Sequence, residues 1–317
     1  MCKNTPLYTR TRFINSREMC SDDMVSIQRR FPVPTTHLPD VAGLLHLRNA
    51  HGDSAAISLY GAQLLSWKTA DEREHLYCTP MPSVKPGASI RGGVPVCFPQ
   101  FSGRGGLPKH GLVRNLVWHV DSDIVSGDDQ DVACVRLVAT DTDSTRALWP
   151  HSFLLQLQVE IGAGWVSVAL NATNTGEAAF DFTAALHTYL ATPDVRQASV
   201  AHLEGTRVLD TTVAGGSEAL HGKTPLRISD ETDNIYFAAP ASLALLQDAQ
   251  PFLQLEQQGF ADSVIWNPGP AKAAQLGDMP AEDWTRMLCI EAAQIEHPVR
   301  LSPQATWRGV QRLTRGR

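Results

Sequence analysis

Between residues 153 and 161 the chain alternates. Phe153, Leu155, Leu157, Val159 and Ile161 are apolar, and Gln156, Gln158 and Glu160 lie between them. Successive side chains of an extended strand point to opposite faces, so a period of two marks a strand with one wet face. Gly162-Ala163-Gly164 interrupts the run, and Val166, Val168, Leu170 and Ala172 then alternate again. This predicts an antiparallel hairpin closed by a glycine-rich turn. Runs of the same kind recur at 55–65, 132–139, 180–190, 242–246, 252–257, 263–266 and 287–292. Turn-forming clusters such as Ser126-Gly127-Asp128-Asp129 and Asn174-Thr175-Gly176-Glu177 separate them.

Helix is scarce. One short helix is expected near 280–286, with Asp278 as its cap and Glu282 and Asp283 favouring its positive end. No long helical pattern alternates with the strands, which argues against a parallel α/β sheet. No glycine-rich phosphate loop sits between a strand and a helix, so no nucleotide cofactor is indicated. The fold class is all-β: a large antiparallel β-sandwich with few short helices. Its ligand would lie in a groove built by long loops and one sheet face. The 317 residues allow two average domains or one large β domain. With no internal repeat and no Pro/Ser-rich linker, one β-sandwich catalytic domain is expected over 31–317. Residues 1–30 are basic early and poor in aliphatics, and read as a disordered leader, or as sequence upstream of a start at Met19 or Met24.

Composition narrows the partners. Hydrophobic residues make up 43% and charged residues 19%, as in a soluble protein with a real core. A formal net charge of -6 argues against a nucleic-acid partner. No apolar run reaches the roughly 18–20 residues of a membrane span, so no membrane association is expected. Cys2, Cys20, Cys78, Cys97, Cys134 and Cys289 are scattered, with neither zinc-ligand spacing nor a disulfide framework. They read as thiols of a reducing compartment. The expectation is a cytoplasmic monomer with no metal and no cofactor.

Three segments carry candidate chemistry. Residues 90–118 cluster Arg91, Arg104, Lys109, His110 and Arg114 among glycines and prolines, between two apolar stretches. Guanidinium groups pair bidentately with carboxylate or phosphate, and glycine lets a backbone approach a ligand closely. Within 180–190, strand alternation places Ala185, His187 and Tyr189 on one face. Glu291 follows an apolar run and is costly to bury unless paired or functional. Taken alone, His187 also fits a satisfied sheet histidine, and Glu291 a strand-end carboxylate reaching solvent.

The wording of these segments resembles the hexose-6-phosphate mutarotases, a branch of the aldose 1-epimerase family with a galactose mutarotase-like sandwich. The resemblance rests on R-G-G-V-P from Arg91, F-P-Q-F ending at Phe101, K-H-G-L-V-R-N from Lys109, A-L-H-T-Y around His187 and C-I-E ending at Glu291. Their order spans residues 91 to 291. The resemblance implies an isomerase that equilibrates α- and β-anomers of a small phosphorylated sugar, glucose 6-phosphate foremost. It implies Glu291 as base and His187 as acid, two groups suited to moving a proton on and off a sugar oxygen. It places Arg91 and Arg114 on the phosphate and His110 on the sugar, with Gln100 and Phe101 lining the pocket. Asp233, in E-T-D-N-I-Y, resembles a further sugar contact, although Asn234 stands where the family carries arginine. Trp266, in V-I-W-N-P, can stack on a sugar or fill the core, and Gly269 departs from the family pattern. Two alternatives stay open: an aldose 1-epimerase for unphosphorylated sugars, and a carbohydrate-binding protein without turnover.

Overall fold

The hairpin forms as the alternation demands: strands Phe153–Gly162 and Trp165–Asn174 pair antiparallel from Phe153↔Asn174 to Gly162↔Trp165. The computed structural model describes residues 43–80, 88–121 and 124–316. The leader expected over 1–30 lies outside them. Among the described residues the strands make three antiparallel sheets. The hairpin belongs to a nine-stranded sheet that also holds Ala133–Thr140, Thr306–Arg315, Gln250–Gln258, Ser242–Gln247 and three shorter strands. An eight-stranded sheet runs Ser217–Leu220, Arg207–Asp210, Thr232–Phe237, Asp262–Asn267, Met287–Leu301, Phe180–Leu186, Val96–Cys97, with Tyr189–Ala191 also on Met287–Leu301. Leu44–Arg48, Ser54–Ser58 and Leu64–Lys68 form the third.

The inward rows of the two large sheets share one core. Leu155, Leu157, Val159 and Ile161 come from one side, and Phe182, Leu186, Leu288 and Ile290 from the other. The eight-stranded sheet is apolar on its other face as well. Cys97, Ala185, Val264 and Ala293 cluster there with Phe101, and Tyr189, Met287 and Cys289 cluster with Met279. A sheet covered on both faces loses the alternation that a half-wet strand shows. That second face, roofed by loops, is where the candidate residues gather.

Several boundaries differ from the sequence reading, each for a local reason. The run 55–65 is two strands, because the chain turns at Gly61 between Ser58 and Leu64. The run 180–190 breaks at His187 and Thr188. The run 287–292 is the first part of a 15-residue strand, Met287–Leu301, with Glu291 well inside it. The short helix is a 3-10 helix, Ala281–Arg286, whose N-cap is Pro280 with no side-chain cap bond. Asp278 does not cap it, because its carboxylate is taken by Arg91. A six-residue helix, Asp143–Leu148, was unforeseen and is closed by a Thr142–Thr145 capping box. Among the described residues no helix is long and apolar enough to cross a membrane.

The R-G-G-V-P turn pins the loops to the sheet. Gly93 donates to Tyr77 O and accepts from Tyr189 N, and Val94 donates to Leu64 O. Gly93 has φ +58, and a Cβ there would sit 2.1 Å from Leu64 O. Both the conformation and the space exclude a side chain. Gly93→Ala is expected to cost at least about 3 kcal/mol, read as a lowered denaturant midpoint. A loss below about 1 kcal/mol contradicts this placement.

Candidate active site

Strand Met287–Leu301 sends Leu288, Ile290 and Ala292 into the core and turns Met287, Cys289, Glu291 and Ala293 to the opposite face. Glu291 is thus a carboxyl in an apolar row. It is 1% exposed and opposes Val264 on the neighbouring strand. The other neighbouring ladder opens at this point. Tyr189 pairs with Cys289 and Leu186 with Ala292, while His187 and Thr188 leave the strand between them. His187 N donates to Pro95 O, which turns the ring toward the site, and its Nε2 lies 3.4 Å from Glu291 Oε1. Its ring stacks on Tyr189 at 4.9 Å and meets Trp266 edge-on at 6.3 Å.

The pair is dry. Burial pushes the Glu291 carboxyl well above its ordinary range, and the charge of Asp233 pushes it further. Burial holds His187 well below its ordinary value, with His110 and Arg91 acting in the same direction. Both shifts favour the uncharged groups, so the pair holds one proton that it can share. His187 Nδ1 and Glu291 Oε2 are buried without a hydrogen-bond partner. An unpaired buried polar atom costs about 1–3 kcal/mol, and a sugar hydroxyl can meet that need.

His110 sits edge-on to His187 at 5.1 Å and to Phe101 at 5.4 Å. Its φ is +66, a backbone state that a tight loop imposes. Its Nδ1 accepts from Ser102 N at 3.3 Å and lies 3.2 Å from Cys97 Sγ. An accepting Nδ1 leaves the proton on Nε2, so the neutral ring is a donor there. Burial first, then the charges of Arg114, Lys109 and Arg91, push its pKa down to about 3.

The remaining candidates divide. Arg91 donates from Nε and Nη2 to Asp278, from Nη1 to Tyr189 Oη at 3.2 Å, and lies 5.8 Å above Trp266. Arg114 donates from Nη2 to Lys109 O, and its Nε is buried and unpaired. Asp233 is half-buried on strand Thr232–Phe237 opposite Trp266, and burial raises its pKa. Trp266 is also half-buried, so it faces the site rather than the deep core. Gln100 is spent locally: Nε2 donates to Ser102 O and Leu107 O, and Oε1 accepts from Leu107 N. It braces the loop that carries Arg104, which is exposed. Gly269 is required by its surroundings, with φ +60 and a Cβ position 2.3 Å from Glu231 N. Sequence reasoning missed the Arg91–Asp278 contact. Nothing in the spacing signals a pair 187 residues apart. Tyr189 was visible only as the same-face neighbour of His187.

Comparison with known proteins agrees with this fold. Residues 43–314 match the family described as aldose 1-epimerase. Two relatives bear the name "Putative glucose-6-phosphate 1-epimerase". The one from Cenchrus ciliaris is 34% identical over 269 residues, covering 83% of this chain and 82% of that protein. The one from Escherichia coli K12 is 35% identical over 243 residues, covering 75% and 79%. A crystal structure described as a "putative mutarotase" from Salmonella typhimurium superposes with a TM-score of 0.80 at 27% identity, covering 93% of this chain and all of that one. A galactose mutarotase-like protein from Lactobacillus casei shares the fold at a TM-score of 0.66 and 16% identity, covering 86% of this chain and 99% of that one. On the match over 43–314 and these relatives, the chain belongs to the aldose 1-epimerase family and is an isomerase acting on sugars.

Proposed function

We propose that this protein interconverts the α- and β-anomers of a hexose 6-phosphate, glucose 6-phosphate foremost. The observation that carries the reading is the buried His187–Glu291 pair, with Arg91, Lys109 and Arg114 close enough to His110 to depress its pKa. Glu291 takes the proton from the C1 hydroxyl while His187 gives one to the ring oxygen, and the bond between C1 and the ring oxygen breaks. The aldehyde turns about its C1–C2 bond, and the same two groups return the protons. The pair acts from the tautomer in which its shared proton sits on His187, carboxylate and imidazolium, and ends as carboxylic acid and imidazole, keeping one proton and no net charge. Burial favours the second form, so the open-chain state is met by the pair in its preferred state. His110 Nε2 and Asp233 hold hydroxyls. Among the described residues the thiols of Cys78, Cys97, Cys134 and Cys289 are free, which suits a reducing cytoplasm.

Arg91 and Arg114 hold the phosphate. The names of the two relatives support a phosphorylated substrate. Asp278 favours the unphosphorylated alternative, because it already neutralises Arg91. Under the phosphate reading the dianion shares or displaces that carboxylate, and a doubly charged ligand is the better partner for a guanidinium. Arg91→Gln and Arg114→Gln should each raise the KM for glucose 6-phosphate about tenfold or more, for the loss of a charge-assisted contact. Turnover of free glucose should be unchanged. Unaltered phosphosugar kinetics in both variants moves the protein to unphosphorylated sugars.

The carboxyl leaves a separate mark on stability. Its folded pKa is raised, so its contribution is full below the unfolded value near 4.5 and declines as pH rises toward the folded value. The His187 contribution, lost as pH falls below about 6.5, is common to wild type and Glu291→Gln. Glu291→Gln should therefore be the more stable protein at neutral pH. Its advantage should widen as pH rises above about 4.5, by up to ~1.4 kcal/mol per pH unit, until the folded value is passed. Thermal unfolding across that range checks this, and a constant or inverted difference contradicts it.

A further inference from the structure

Backbone accounting at the His187 break exposes a residue that does not touch the site. In a hydrogen-bonded antiparallel pair the two residues exchange both N–H···O bonds. Ile290 N donates to Thr188 O at 3.2 Å, but Thr188 N turns back to Leu186 O at 2.9 Å. The return bond to Ile290 O is missing from the ladder. A buried carbonyl without a donor is costly. The donor comes from the other sheet: Gln311 Nε2 reaches Ile290 O at 3.0 Å. The same carboxamide accepts through Oε1 from Thr188 Oγ1.

Gln311 lies on strand Thr306–Arg315, on the face that also turns Gly309 and Leu313 inward. It is 4% exposed, and Thr188 is fully buried. A carboxamide at a position facing an apolar core is expensive unless both its ends are used. Here both ends are used, one beside His187 and one beside Glu291. Leucine or methionine would satisfy the core but not the break.

We infer that Gln311 is a positioning residue. Its carboxamide spans the two sheets, replaces the ladder bond missing at Thr188, and thereby fixes the separation of His187 from Glu291. This rests on the proposed roles of those two groups. It explains how a catalytic histidine can leave the ladder without loosening it, and why the site is held from behind by the sheet that carries none of its side chains.

The test uses the full chain with Gln311→Met, Thr188→Val, Thr188→Ser and the Gln311→Met/Thr188→Val double variant. Exchange of glucose 6-phosphate anomers and the ¹⁵N resonances of the His187 imidazole are both read. Gln311→Met should lower kcat about tenfold to a hundredfold, the range for a small misplacement of reacting groups, with KM within about twofold. Thr188→Val should match it, and the double variant should be no worse than either single one, because one network is lost once. Thr188→Ser, which keeps the hydroxyl, should recover most of the rate lost in Thr188→Val. The His187 resonances should move in the first two variants and return in Thr188→Ser. A folded Gln311→Met with wild-type kcat and unmoved His187 resonances overturns the inference, as does a fully additive double variant. If Gln311→Met fails to fold, the contrast between Thr188→Val and Thr188→Ser decides. If wild type exchanges no phosphosugar, the functional reading fails while the His187 resonances still decide the positioning claim.

Discussion

A carboxyl group buried in the wall of a sheet is the constraint around which the rest is arranged. Glu291 is 1% exposed, with one oxygen 3.4 Å from His187 and the other unpaired. Such a group is held at a cost that tertiary structure has to offset. The offset comes from a sheet apolar on both faces. Leu288, Ile290 and Ala292 anchor one side of the strand in the sandwich core, and Cys289 and Ala293 sit under the loops on the other. The carboxyl is therefore rigidly placed and poorly solvated. Both properties make it useful in moving a proton.

The loops over that face set the electrostatics. They bring three cations near two histidines, and those charges together with burial keep His110 neutral. The acidic groups are placed as counterweights. Asp233 raises Glu291 from across the sheet, and Asp278 takes the guanidinium of Arg91 at the edge, where it is half exposed. An overall acidic protein thus holds a local cluster of cations whose charge is partly balanced by nearby carboxylates.

Much of this was legible in the chain. Period-two alternation located the hairpin at 153–172 and most other strands, because those strands have one face in the core and one wetter face. It failed where that condition lapsed. The strand Met287–Leu301 is buried on both faces for its first half, so its length and the depth of Glu291 were hidden. The run at 180–190 reads as unbroken, since a departure of two residues leaves apolar spacing intact while removing His187 from the ladder. The helix Asp143–Leu148 is too short to show a helical period. The candidate site residues were visible through motifs, but their partners were not. Asp278 looked like a cap, Gln100 like a pocket wall and Gln311 like nothing at all, because each is defined by residues distant in sequence.

The most direct measurement is exchange between the anomers of glucose 6-phosphate by NMR, comparing wild type with His187→Ala and Glu291→Gln at matched concentration. The account predicts exchange well above the spontaneous rate for wild type, and a fall of about a thousandfold or more in the added rate when either member of the pair is removed. Exchange that persists in Glu291→Gln, or that wild type does not accelerate, contradicts it.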